Sequence, residues 1–136
     1  MHLIINPSSD LPIYRQIMRQ IMDAIAGGRL RSGDRLASHR ELSEQLVIAP
    51  LTVKKAYDEL EALGYIDSER GRGTFVSAHF PKVTRSAKTE QIVASARALL
   101  SRAYLAGLNF NDVAKALKDA NDEIIDGPIP GNRKKG

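Results

Sequence analysis

Three residues, Val47-Ile48-Ala49, separate two short amphipathic stretches of this chain. Before them, Ser38-His39-Arg40-Glu41 opens a helical pattern that turns Leu42 and Leu46 inward. After them, Pro50 opens a second pattern, with Val53, Ala56, Leu60 and Leu63 on one face and Lys54, Lys55, Asp58, Glu59 and Glu61 elsewhere. Ser38 and Glu41 fit a capping box, in which the serine hydroxyl takes the amide three residues on and the glutamate reaches back. Gly64 stops the second helix. So short a connection between two helices is a helix-turn-helix, a strong constraint on what the chain can fold into.

An earlier helix enters at Asp10-Leu11-Pro12, with the proline expected at the first helical position, where its missing N–H costs nothing. Ile13, Ile17, Ile21 and Ile25 recur at i+4 steps, flanked by the row Tyr14, Met18 and Met22, up to Gly27-Gly28. This is core-facing spacing, so the Met and Tyr residues are read as packing. Ser32-Gly33-Asp34 signals a turn. Further on, Tyr65-Ile66-Asp67-Ser68 and Thr74-Phe75-Val76-Ser77 are short and β-prone. The loop between them, Glu69 to Gly73, makes them a hairpin, which must pack on the preceding helices because two strands alone are unstable in water. The fold class expected is mostly α with a small β-hairpin: a winged helix-turn-helix domain over residues 11–79.

The hairpin loop reads Arg70-Gly71-Arg72-Gly73. Gly-x-Gly can cradle a phosphate, but a nucleotide loop needs a helix after it, and here a strand follows. The loop is therefore the wing. Gly71 and Gly73 let it come close to a nucleic-acid backbone or minor groove, and Arg70 and Arg72 supply charge. The helix from Pro50 fits the ~12 Å major groove, and the helix from Ser38 braces it across the backbone.

Residues 80–88 have no clear period and read as a linker. From Thr89 a helix presents Ile92, Val93, Ala96, Leu99, Leu100, Ala103 and Tyr104 on one face until Gly107. Asn109 and Asp112 cap a last helix with Phe110, Val113, Ala114 and Leu117 inward. Two helices have too little mutual surface to stand alone. Residues 89–125 are therefore expected to be a two-helix C-terminal dimerisation segment, with Ile92, Val93, Ala96, Leu99, Leu100, Ala103, Tyr104, Phe110, Val113 and Leu117 in the interface. Residues 126–136 read as a disordered tail.

Composition removes other classes. The chain has no cysteine, hence no disulfide, thiolate metal site or Cys nucleophile, in keeping with a cytoplasmic setting. No apolar run approaches the ~20 residues of a membrane span, so no membrane partner is expected, and the start lacks the marks of a signal peptide. His2, His39 and His79 are isolated, with no metal-ligand spacing. No nucleophile elbow accompanies the Ser, His and Asp residues. No catalytic residue, metal or cofactor is expected. The net charge of +4 suggests nucleic acid, yet residues 1–80 hold ten Lys/Arg against ten Asp/Glu, so the excess lies beyond them. A DNA-binding reading must rest on where individual charges sit.

The blocks LPIYRQI, GDRLASHRELSEQL and LTVKKAYDELEALGYIDSERGRGTFV together resemble the DNA-binding domain of GntR-type bacterial transcription regulators. The two-helix remainder resembles the YtrA-like subfamily. The resemblance implies a homodimeric operator-binding protein, usually a repressor, on double-stranded DNA. It implies that Arg40 reads the operator, that Thr52 and Lys54 are contact positions on the recognition helix, and that Arg70 and Gly71 touch DNA from the wing. The candidate DNA-contacting set is Ser38, His39 and Arg40; Leu51, Thr52, Lys54 and Lys55; and Arg70, Gly71, Arg72 and Gly73. The chain departs from the family pattern at Ala37, usually proline, at Val47, usually the turn glycine, and at Ala49-Pro50-Leu51, usually polar. Ala49 is a poor N-cap, and Leu51 cannot hydrogen-bond a base edge. Two alternatives remain at this stage: a regulator with a small-molecule effector pocket at the dimer interface, and a winged helix that binds only protein.

Overall fold

The computed structural model describes residues 3–78, 80 and 85–127. They fall into two compact units, Met1–Phe80 with Ile124–Gly136, and Pro81–Glu123.

The first unit is built on helix α1, Ile13–Ala26. Ile17, Ile21 and Ala24 are buried, and Tyr14, Met18, Met22 and Ile25 pack at the edge of the same core. Pro12 sits just outside the helix as its N-cap, not at the first helical position, because its ψ of 149° is extended. Its carbonyl still accepts from the amides of Arg15 and Gln16. The folded unit also begins before residue 11. Leu3 is buried in the core, and the extended segment around it is held by two glutamines of α1. Ile4 N–H donates to Gln20 Oε1 (2.9 Å), and Gln20 Nε2 donates to the Ile4 carbonyl (2.8 Å). Asn6 and Gln16 repeat the pair at 2.8 and 2.9 Å.

The expected turn is present: Asp34 accepts from the Arg31 amide at 2.8 Å, and Gly33 has a φ of 89°. It leads into a strand absent from the sequence reading, β1, Arg35–Leu36. Helix α2, His39–Leu46, starts with the capping box complete. Glu41 N–H donates to Ser38 Oγ (3.0 Å), and Ser38 N–H donates to Glu41 Oε1 (2.9 Å). Val47 ends α2 in the left-handed region, at φ 55° and ψ 52°. This is the conformation glycine would adopt freely, and a β-branched residue there is strained.

Helix α3, Pro50–Ala62, packs against α1 and α2. Val53, Ala56 and Leu60 are buried as expected, but Leu63 is 48% exposed. Leu63 is the C-cap and lies at the edge of the inward stripe, which centres on Val53, Ala56, Tyr57 and Leu60. Tyr57 fills that face instead. Its hydroxyl donates to the Ala37 carbonyl at 2.7 Å. Burial pushes its phenol well above the ordinary range, with the charge of Glu41 adding to the rise, so the group stays a protonated donor.

Strands β2, Ile66–Glu69, and β3, Gly73–Val76, form the hairpin. They join β1 in a three-stranded antiparallel sheet of order β1-β3-β2, not the lone hairpin expected. Glu69 pairs with Gly73, which shortens the loop to Arg70-Gly71-Arg72.

The second unit holds α4, Arg85–Leu105, and all but the last three residues of α5, Phe110–Asp126. Helix α4 begins inside the expected linker, and α5 runs into the expected tail. Residues 81–84 of that linker, 128–136 of that tail, and His2 and His79 lie outside the described residues. Asn109 and Asp112 cap α5 reciprocally, at 2.8 and 2.9 Å. Of the expected interface, Val113 and Ala103 are buried and Leu99 and Leu100 half-buried, while Ile92, Val93, Ala96, Tyr104, Phe110 and Leu117 are exposed.

Candidate nucleic-acid interface

The start of α2 carries Ser38, His39 and Arg40. Ser38 is engaged as the cap, which fixes the first turn. Arg40 is exposed, and among the described residues it has no ion-pair partner. Its carbonyl accepts from Ser43 Oγ at 2.8 Å. The inner side of the same helix is closed by Leu42 and Ser43, both buried, which leaves Arg40 on solvent.

The start of α3 carries Leu51, Thr52, Lys54 and Lys55. Leu51 is 77% exposed and Thr52 is half-buried. Ala49 gives no side-chain cap, and Pro50 occupies the first turn. Lys54 Nζ pairs with Asp58 at 2.8 Å, and Lys55 pairs with Glu59 at 3.3 Å. Lys55 Nζ also lies 4.7 Å from the centre of the Tyr14 ring. Exposed pairs of this kind are weak and easily exchanged for a phosphate, but Lys55 is drawn toward α1 and Lys54 is not. The Tyr57 bond to Ala37 ties α3 to the residue immediately before the α2 cap. The packing of α3 on α2 is thereby fixed from the middle of α3.

At the wing, Arg72 N–H donates to the Glu69 carbonyl at 2.9 Å, closing a four-residue turn. Gly71 stands third in it with φ 78°, as a type II turn requires. A side chain at Gly71 would meet no neighbour, so the glycine is needed for its backbone angle and not for space. Arg70 is exposed, and Arg72 turns back onto Glu69 at 3.2 Å. Gly73 differs: with φ 124°, it also lies under Arg35, and an added Cβ would sit 3.1 Å from Arg35 Nε. Arg35 is an exposed cation beside the wing that the sequence reading missed. Its only local signal was its place between a turn and the buried Leu36, and its partner across the sheet is remote in sequence.

No cluster of His, Cys, Asp or Glu among the described residues could hold a metal ion. No helix among them is long and apolar enough to cross a membrane. What the arrangement offers is an exposed arginine at one helix start, a solvent-facing second helix start and a basic wing, on a scaffold that fixes all three.

Residues 13–76 match the pattern of bacterial regulatory proteins of the gntR family. The sequence is 34% identical to the HTH-type transcriptional repressor YtrA of Bacillus subtilis, over 90% of this chain and 95% of that protein. The fold is similar to that of a transcriptional antiterminator from Listeria monocytogenes EGD-e, with a TM-score of 0.79 and 29% identity over 97% of this chain and 98% of the other. It is also similar to AraR(DBD) in complex with operator ORX1, with a TM-score of 0.50 and 30% identity, over 57% of this chain and 99% of that one.

Proposed function

The chain belongs to the gntR family of bacterial regulatory proteins, and on that footing we propose that it is a sequence-specific DNA-binding transcription repressor. It binds a pseudo-palindromic operator as a homodimer and works in the cytoplasm. The observation that carries this reading is the Tyr57–Ala37 bond, which ties the middle of α3 to the residue before the α2 cap and so fixes the packing of the two helices that carry Arg40, Leu51 and Thr52. The similar AraR(DBD) was solved with an operator, which supports the same use of this unit.

In this reading α3 enters the major groove by its N-terminal end, α2 crosses the backbone, and the wing lies alongside. Arg40 reads a base edge, for which a guanidinium can present two parallel donors. Lys54, Arg70 and Arg35 meet phosphates, which adds salt-dependent affinity without sequence preference. The exposed apolar side chains of α4 and α5 pair with those of a second copy. Two-fold pairing then spaces two reading heads about one DNA turn or a multiple apart.

The test compares Arg40→Ala and Lys54→Ala on a library of duplexes at several salt concentrations. Arg40→Ala is expected to cost about 1–3 kcal/mol on the preferred site and to relax choice at one base pair per half-site. Lys54→Ala is expected to weaken all sequences alike and to flatten the salt slope. Identical library profiles for the wild type and Arg40→Ala remove Arg40 from the readout. A protein that prefers no duplex over another defeats the operator reading.

A further inference from the structure

We infer that Leu51 makes the recognition helix a reader of the pyrimidine C5-methyl group, in thymine or in 5-methylcytosine. This rests on the operator-binding reading and names what one end of that site recognises.

Ala49, the N-cap of α3, offers no side-chain hydrogen bond. Pro50 has neither a polar side chain nor a backbone N–H. Leu51 is hydrocarbon only, and Thr52, the first hydroxyl, is half-buried. The next polar groups along the helix, Lys54 and Lys55, are drawn to Asp58 and to Glu59 with Tyr14. A helix start is where a polar residue would do most for stability by capping free N–H groups. This one forgoes the cap and holds a leucine 77% exposed.

A lone exposed leucine on a protein surface needs no explanation. Here it stands at the groove-entering end of the helix, where Ala49 and Pro50 before it have no polar side chain and the Thr52 hydroxyl after it is half-buried. The major-groove edges of the bases present donors and acceptors, with one apolar exception, the C5-methyl of thymine. 5-Methylcytosine carries a methyl at the same ring position. A hydrocarbon helix start cannot satisfy the polar edges and excludes water favourably only against that methyl. Removing one buried methyl-sized group from such a contact weakens binding roughly fourfold.

The experiment uses the full-length chain. A duplex is first selected from a random pool. Each thymine of the selected site is then replaced in turn by uracil, which keeps every hydrogen bond and removes only the methyl. At one thymine per half-site the exchange is expected to weaken binding roughly fourfold, and roughly fifteenfold when both half-sites are changed. Leu51→Ala should erase the thymine-over-uracil preference while still choosing the selected site over random DNA, and Leu51→Met should retain it. Cytosine and 5-methylcytosine at the same position separate the sources. Recovery with the methylated base shows that the methyl suffices, and no recovery ties the contact to thymine. Equal affinity for the thymine and uracil sites at every position, both above random DNA, overturns the inference and leaves the operator reading standing. So does a Leu51→Ala protein that keeps the full preference. If the folded protein selects no duplex from the pool, the operator reading itself fails, and this inference fails with it.

Discussion

In the winged unit, Ile17, Ala24, Leu42, Val53, Ala56, Leu60 and Ile66 are all at 0% exposure. In the helical unit, the best-covered of the described apolar side chains are Val113 at 5% and Ala103 at 8%, while Ile92, Phe110 and Leu117 stand at 69, 61 and 55%. The residue types are much the same, and the difference is geometric. Three helices and a sheet can each cover the others' apolar faces, whereas two helices cannot cover all of theirs. One unit is finished within a single chain. The other leaves much of its apolar surface exposed, the surface that the proposed dimer would cover.

Truncating the finished core tests that contrast most strongly. Leu60→Ala is expected to cost about 2–5 kcal/mol in denaturant unfolding, whereas Leu117→Ala should leave the winged unit's transition where it is. Equal losses from the two would abolish the distinction. On the unfinished side, Ile92→Asp combined with Phe110→Asp should shift sedimentation to the monomer and lower affinity for a two-half-site operator ~10²-fold, with unfolding of the winged unit unchanged. Dimers that survive both charges would place the interface elsewhere. Within the winged unit, Tyr57→Phe leaves the Ala37 carbonyl without its donor, for an expected loss of about 1–3 kcal/mol in thermal or chemical unfolding. The smallest effect has the opposite sign. Val47→Gly relieves the left-handed strain and, after the extra freedom of the unfolded chain is subtracted, should raise stability by about 1 kcal/mol. An unchanged or lower denaturation midpoint would mean that the turn holds no such strain.

Features set by near neighbours in sequence were legible beforehand. The capping box of Ser38 and Glu41, the inward row Ile17 and Ile21, the turn at Asp34 and the Asn109–Asp112 cap are all settled within a helical turn or two. Features set by distant pairing were not. Strand β1 is two residues long and exists because Phe75 and Thr74 lie beside it. Tyr57 completes the i, i+3, i+4, i+7 stripe of Val53, Ala56 and Leu60, but the carbonyl of Ala37 that its hydroxyl bonds lies twenty residues away and could not be read from spacing. The candidate site divides the same way. That Arg40, Leu51 and Arg70 would be exposed followed from their place on each element. That Lys55 leans on Tyr14 and that Arg35 covers Gly73 required the folded chain.

The glutamine pairs near the N-terminus carry a further consequence. Gln16 and Gln20 are about 6 Å apart along their helix, and Ile4 and Asn6, two residues apart in an extended chain, are separated by about 6.6–6.8 Å. The near-match lets one face of a helix stand in for a neighbouring strand. Only main-chain atoms of Ile4 and Asn6 take part in these pairs, so the exposed side chain of Ile4 is free to vary while its phase is not, and Asn6 Oδ1 accepts from the Ser8 amide. Deleting one residue between Asn6 and Pro12 would bring the wrong amides opposite the glutamines, and alternation would exchange the buried Leu3 for the exposed Ile4. The helix thus sets the reading frame of the segment before it, as a ruler with two marks.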